Sequence, residues 1–157
     1  MLITGGTAFS PMSGTAAIGV VARNDQGVVV AALSAPISAC YDVEEAEARA
    51  ILEGLQMASE LKIKCVALES DSALAVDASN ATTRNHCQFW SVYKEIGLTK
   101  SVFSSCSISY TRRKLNSLAH ELAKRASVSG VYSRWFDLVP EDIASLAKRD
   151  LVNIVYV

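Results

Sequence analysis

Glu47 and Asp71 are the side chains whose placement points most directly to chemistry. Glu47 falls on an apolar stripe of helical period, Glu47, Ile51, Leu55 and Ala58, flanked by Ala50 and Gly54. Asp71 ends a short apolar run that begins Cys65-Val66-Ala67-Leu68. A carboxylate withdrawn from water is costly unless it is paired, hydrogen-bonded or bound to a cation. Two of them in adjacent elements suggest a shared cation site. Each also has an ordinary reading: Glu47 can reach water from a helix boundary, and Asp71 can cap the helix that opens after it. Ligands of open α/β sheets bind beyond the carboxyl ends of strands, which is where Asp71 stands.

The stretch Asn116-Ser117-Leu118-Ala119-His120 adds a third group. Asn116 suits a helix N-cap. His120 lies beside an apolar stripe and could reach a phosphate or a metal, although flanking histidines are usually solvated. Arg112, Arg113 and Lys114 just precede this helix and are candidate phosphate contacts, their ordinary reading being a solvated basic turn. Lys62 and Lys64 fit that ordinary reading, following a helix end whose dipole they complement. The glycine-containing start, Gly5 to Gly14, has neither GxxxxGK[ST] nor GxGxxG and is no phosphate loop. His86 lies in a polar connection with no nucleophile motif nearby.

The elements that must position these groups follow from periodicity. Ala16–Val21 and Val28–Leu33 are β-branched-rich runs joined by Arg23-Asn24-Asp25-Gln26-Gly27, a hairpin loop, with Leu2-Ile3 as the stub of a neighbouring strand. A helix is expected over Glu44–Leu61, capped by Asp42, then a strand from Cys65 and a short helix over Ala73–Ala78. After the polar connection Asn80–Asn85 come a helix over Phe89–Leu98, with Phe89, Trp90, Tyr93 and Ile96 inward, and a strand over Phe103–Tyr110. The helix Ser117–Ser127 buries Leu118, Ala119, Leu122, Ala123 and Ala126, and Pro140 starts a last helix with Ile143, Leu146 and Ala147 inward. A hairpin meander followed by strand–helix alternation indicates a mixed sheet with helices packed on it.

At 157 residues and a net charge of −1, half of them apolar, the chain suits one domain that binds nucleic acid only through local patches. Cys40, Cys65, Cys87 and Cys106 show no CxxC, and Cys65 and Cys106 fall in expected strands, so a reduced, intracellular compartment, nuclear or cytoplasmic, is expected. No signal-peptide pattern or membrane-length apolar stretch is present, and a monomer without membrane association is expected.

Several motifs occur in a telling order. They are Ile18-Gly19-Val20-Val21-Ala22-Arg23-Asn24 before a glycine turn, Ala46-Glu47-Ala48 with Glu53-Gly54-Leu55, and Glu69-Ser70-Asp71. Arg112-Arg113 with Asn116, Ala119-His120 and Leu122-Ala123 comes next, and Trp135 with Val139-Pro140 ends the series. In this order they resemble plant retroelement-type ribonuclease H domains. The resemblance implies an α/β, RNase H-like fold: a five-stranded mixed sheet, antiparallel meander then parallel strands, flanked by helices. That domain spans residues 1–130, and residues 131–157 form a C-terminal extension whose short helix packs on it.

The implied activity is cleavage of the RNA strand of an RNA–DNA hybrid by Mg²⁺, or Mn²⁺, held by clustered carboxylates, because such ions prefer hard oxygen ligands. Glu47 matches the family's helix glutamate and Asp71 its strand-end aspartate, the implied catalytic metal ligands. His120 stands at the last acidic position as a third catalytic candidate, and Arg112, Arg113, Lys114 and Asn116 are the expected nucleic-acid contacts.

The chain departs from the family at the first-strand aspartate, which normally lies in a motif resembling Val-Asp-Gly-Ala-Phe. Counting back from Ala8-Phe9 puts Gly6 there; matching Ile3-Thr4-Gly5 puts Thr4 there. No Asp or Glu occurs between Met1 and Asn24. Loss of a metal ligand lowers rate by orders of magnitude, so weakened or absent cleavage is expected. The readings left open are a hybrid-binding domain of reduced activity, an inactive remnant serving as a binding or interaction module, and a chain whose real first strand is missing.

Overall fold

The computed structural model describes residues 1–10, 12–40, 42–82 and 88–154; His86, Cys87 and part of the polar connection before them lie outside the described residues. Strands β1 (Leu2–Ser10), β2 (Thr15–Arg23) and β3 (Val29–Ile37) form an antiparallel meander. The β2–β3 turn is built by Asn24, whose Oδ1 accepts from the backbone N–H groups of Gln26 and Val28 at 3.0 and 2.9 Å. Gly27 follows at φ 77°, where a side chain would be strained. β4 (Cys65–Ser70) runs parallel to β1, and β5 (Ser105–Tyr110) parallel to β4.

A short strand from the tail, β6 (Ser133–Phe136), pairs antiparallel with β3 and completes a six-stranded sheet in the order β5-β4-β1-β2-β3-β6. The five expected strands are therefore present, with a sixth added at the β3 edge. Four residues after a left-handed Gly130 carry no readable alternation, and only the open edge of β3 makes them a strand.

β1 is longer than its sequence suggests. All of Leu2 to Ser10 pairs with β2, so most of the expected loop from Gly5 is strand. Gly5 and Gly6 have poor strand propensity, but a partner on either side supplies ladder bonds to the first part of β1.

Helices cover both faces. α1 (Val43–Glu60), capped by Asp42 accepting from the Glu44 N–H at 2.8 Å, packs with α2 (Ala73–Asn80) and α3 (Trp90–Lys100) on one face. α4 (Ser117–Ser129) and α5 (Glu141–Ile154) cover the other. Two apolar cores result: Ile18, Val20 and Leu33 join Ile51 and Leu55 on the α1 face, while Val21 and Ala32 join Leu118, Leu122 and Ile143 on the α4 face. Alternate residues of β2 and β3 thus feed opposite cores, which is why those strands read as continuous apolar runs.

Gly19 sets the position of α4. A Cβ there would lie 2.7 Å from the Ala123 backbone nitrogen and still closer to the Ala119 carbonyl oxygen. Ser34 holds the same helix by donating to the Leu122 carbonyl at 2.7 Å.

One inward expectation changes, and one strand residue proves exposed. Trp90 is the first residue of α3 and is 43% exposed, while Tyr93 and Ile96, a turn further on, are fully buried. Cys65 faces solvent, because β4 alternates and turns Val66, Leu68 and Ser70 inward instead. No helix among the described residues is long and apolar enough to cross a membrane.

Candidate functional site

β4 delivers Asp71 to the end of the sheet beside β1. The last β1–β4 pair is Gly5 with Ser70, so Gly6 and Asp71 come next on neighbouring strands. Asp71 does not cap α2; Ser72 does, its Oγ accepting from the Ala75 N–H at 3.2 Å. The Asp71 carboxylate is free to face inward, with a side chain only 8% exposed.

Two residues of the α4 region meet it there. Asn116 donates through Nδ2 to Asp71 Oδ1 at 3.2 Å and to the Gly5 carbonyl oxygen. His120 places Nε2 3.1 Å from Asp71 Oδ2, and its Nδ1 lies 3.1 Å from the Thr7 carbonyl oxygen. A carbonyl oxygen can only accept, so Nδ1 carries a proton.

Burial pushes the Asp71 carboxyl upward, but the hydrogen bond and positive charge of His120, with the Asn116 bond, outweigh it and hold the group below the usual carboxylate range. Burial likewise disfavours a charged His120. The hydrogen bond and charge of Asp71, and then the Thr7 carbonyl, reverse that and raise the imidazole above its ordinary value.

Glu47 approaches from α1 and is 6% exposed. Its Oε1 accepts from the Thr7 hydroxyl, and its Oε2 is buried without a hydrogen-bond partner. Burial raises its proton affinity; the Thr7 bond acts against that, and the nearby Asp71 charge adds to it. The proton affinities of Glu47 and Asp71 are therefore shifted in opposite directions.

A cleft of about 650 Å³ opens over this cluster, lined by Thr7, Phe9, Glu47, Arg113, His120 and Lys124 among others. Arg112, Arg113 and Lys114 are exposed, and Arg113, which lines the cleft, lies 3.8 Å from Asp71 Oδ2. With the Arg113 side chain 73% exposed, that pair is screened and adds little stability.

The structure brings Glu47, Asp71, His120 and Asn116 around the middle of β1, where β4 ends. Asn116, one of the expected nucleic-acid contacts, is 1% exposed, and its side chain ties Gly5 to Asp71. That side chain does not cap α4. Thr7 went unnoticed in the sequence because its segment reads as a loop. A strand continued through Thr7 would have placed its hydroxyl and carbonyl at this end of the sheet.

Whether the cluster can hold a divalent ion depends on its free oxygens. Glu47 and Asp71 offer the hard donors such ions prefer. Both oxygens of Asp71 are already engaged, however, and β1 carries no carboxylate. Among the described residues, no three His, Cys, Asp or Glu side chains gather as a group that could hold a metal. The donor set does not fit a divalent-metal centre.

Comparison with known proteins gives a consistent picture. Residues 4–126 match the reverse transcriptase-like family. The fold is that of the N-terminal RNase H domain of a Mycobacterium tuberculosis protein, solved as a fusion with maltose binding protein. That structure is 22% identical, with a TM-score of 0.72, over 83% of this chain and 97% of that one. RNase H1 from the halophilic archaeon Halobacterium salinarum is 22% identical with a TM-score of 0.73, over 81% and 96% of the respective chains. LC11-RNase H1, solved in complex with an RNA/DNA hybrid, is 22% identical with a TM-score of 0.68, over 79% and 94%. No curated protein matches the sequence. RNase H enzymes generally use divalent metal ions.

Proposed function

The chain belongs to the reverse transcriptase-like family, and from that premise we propose that it is an RNase H-like domain that recognises RNA–DNA hybrid, with metal-dependent cleavage strongly reduced. One observation carries the reading. Where β1 passes Asp71 it presents Gly6, with the His120 ring against it, while Arg113 at the cleft and its neighbours Arg112 and Lys114 stay exposed. The groups that would hold a nucleic-acid backbone are thus available, whereas of those that would hold Mg²⁺ or Mn²⁺ the β1 acid is missing and Asp71 is hydrogen-bonded through both oxygens to His120 and Asn116. The same engagement of Asp71 favours the inert end of this reading, a binding module without cleavage, over residual activity.

Arg112, Arg113 and Lys114 are the proposed phosphate contacts. Three such contacts give a log–log salt slope of about −2.7, so affinity falls about 40-fold between 50 and 200 mM salt. Fluorescence anisotropy with a labelled hybrid in EDTA measures this, and Arg112→Gln/Arg113→Gln/Lys114→Gln should flatten most of the slope. A cleavage assay with Mg²⁺ or Mn²⁺ completes the test. Robust wild-type cleavage abolished by Asp71→Asn would refute the reduced-activity reading, and a salt slope unchanged in the triple variant would remove the basic contacts.

A further inference from the structure

We propose that Gly6 and His120 form one packing unit that closes this site to divalent metal, so that an aspartate restored at position 6 alone does not rebuild a metal centre. This deepens the reading above and rests on it for treating this part of β1 as the place of the family's first acid. Between the two candidate positions, the strand register selects Gly6. Thr4 pairs with Glu69, two residues short of Asp71, whereas Gly6 follows directly after the Gly5–Ser70 pair.

A Cβ on Gly6 would point at α4, 3.1 Å from the His120 backbone nitrogen and 3.2 Å from both the Ala119 carbonyl carbon and His120 Nδ1. Those distances require neighbours to give by a few tenths of an ångström before any carboxylate is added. The helix cannot readily give. It is seated on Gly19 and held by the Ser34–Leu122 hydrogen bond.

The ring cannot swing aside without cost either. It is held at one nitrogen by the Thr7 carbonyl and at the other by Asp71 Oδ2, each at 3.1 Å. His120 therefore takes up two things a metal would need: space beside β1 and one of the two Asp71 oxygens. Asn116 holds the other oxygen. Replacing His120 by aspartate removes the ring, frees Asp71 Oδ2 and adds a carboxylate. Only then does an acid at position 6 complete a set of oxygen donors with Glu47 and Asp71.

The test titrates Mn²⁺ alone, without nucleic acid, by isothermal calorimetry and thermal melting of wild type, Gly6→Ala, Gly6→Asp, Asp71→Asn and Gly6→Asp/His120→Asp. Wild type and Gly6→Asp are expected to show no Mn²⁺-dependent change in Tm, and both position-6 single variants to melt below wild type in EDTA. The double variant should gain about 5–10 °C at a Mn²⁺ concentration near 100 times its Kd. A wild-type Mn²⁺ response lost in Asp71→Asn overturns the proposal, and that measurement stands whether or not any position-6 variant folds. A response of Gly6→Asp equal to that of the double variant overturns it, as does a folded double variant with no response. Failure of wild type to bind hybrid would defeat the proposed function and leave this inference intact.

Discussion

Asn116→Ala separates two roles for one residue, surface contact with nucleic acid and internal fastening of the site. Its side chain is buried and donates to a carboxylate, Asp71, and to the Gly5 carbonyl. A hydrogen bond to a charged group contributes about 1.5–3 kcal/mol and one to a neutral carbonyl about 0.5–1.5 kcal/mol. Asn116 Oδ1 is buried without a partner, so deleting it returns part of that loss. The net destabilisation is about 1–3 kcal/mol, or about 3–10 °C in Tm for a domain of this size. Calorimetric melting measures it directly. Asn116→Asp should be worse near neutral pH, since it sets a second carboxylate against Asp71, and should recover toward Asn116→Ala as the pH falls into the carboxylate range. A Tm within about 2 °C of wild type for Asn116→Ala, combined with weakened hybrid binding, would refute the reasoning and return Asn116 to the nucleic-acid surface.

Two further outcomes follow from packing and charge. Gly19→Ala sets a methyl group against α4 backbone atoms and should cost about 3 kcal/mol in urea denaturation. Gly5→Ala, whose Cβ would lie 3.4 Å from Ala50, should cost far less, and equal effects would remove the account of how α4 is seated. The stability difference between wild type and His120→Gln should depend on pH. Folding raises His120 from 6.5, so its stabilisation is complete below 6.5 and is lost as pH rises through the folded value; folding lowers Asp71 from 3.8, so its stabilisation is present above 3.8 and is lost as pH falls through the depressed value. The difference should be largest near about pH 5 and shrink on the alkaline side. Melting curves that keep it constant across that range would show that the His120–Asp71 contact is electrostatically neutral in effect.

The sequence made the meander, the alternation of helices and strands, and the pairing of Glu47 with Asp71 legible because each rests on a local pattern. Apolar period marks α1 and α4, and Asn24 with Gly27 marks the hairpin turn. Where a residue's state depends on a neighbour distant in sequence, the pattern fails. β6 exists because β3 has an open edge, and β1 runs through Gly5 and Gly6 because β2 and β4 flank it. Asn116 looked like a cap and exposed contact because helix starts favour asparagine. Its inward turn depends on Gly5, 111 residues earlier.

His120 shows the same limit at the site itself. Composition alone records only a missing acid on β1 and a histidine in α4, two unrelated losses. The fold makes them one event. With no side chain at Gly6 or Gly19, α4 lies close against the sheet, and that closeness brings His120 within hydrogen-bond reach of both Thr7 and Asp71. A metal site beside Gly6 needs space between strand and helix and a carboxylate with free oxygens. Here the His120 ring lies against Gly6, and His120 and Asn116 engage both oxygens of Asp71. On the proposal above, building a metal site here takes changes on both sides of that contact.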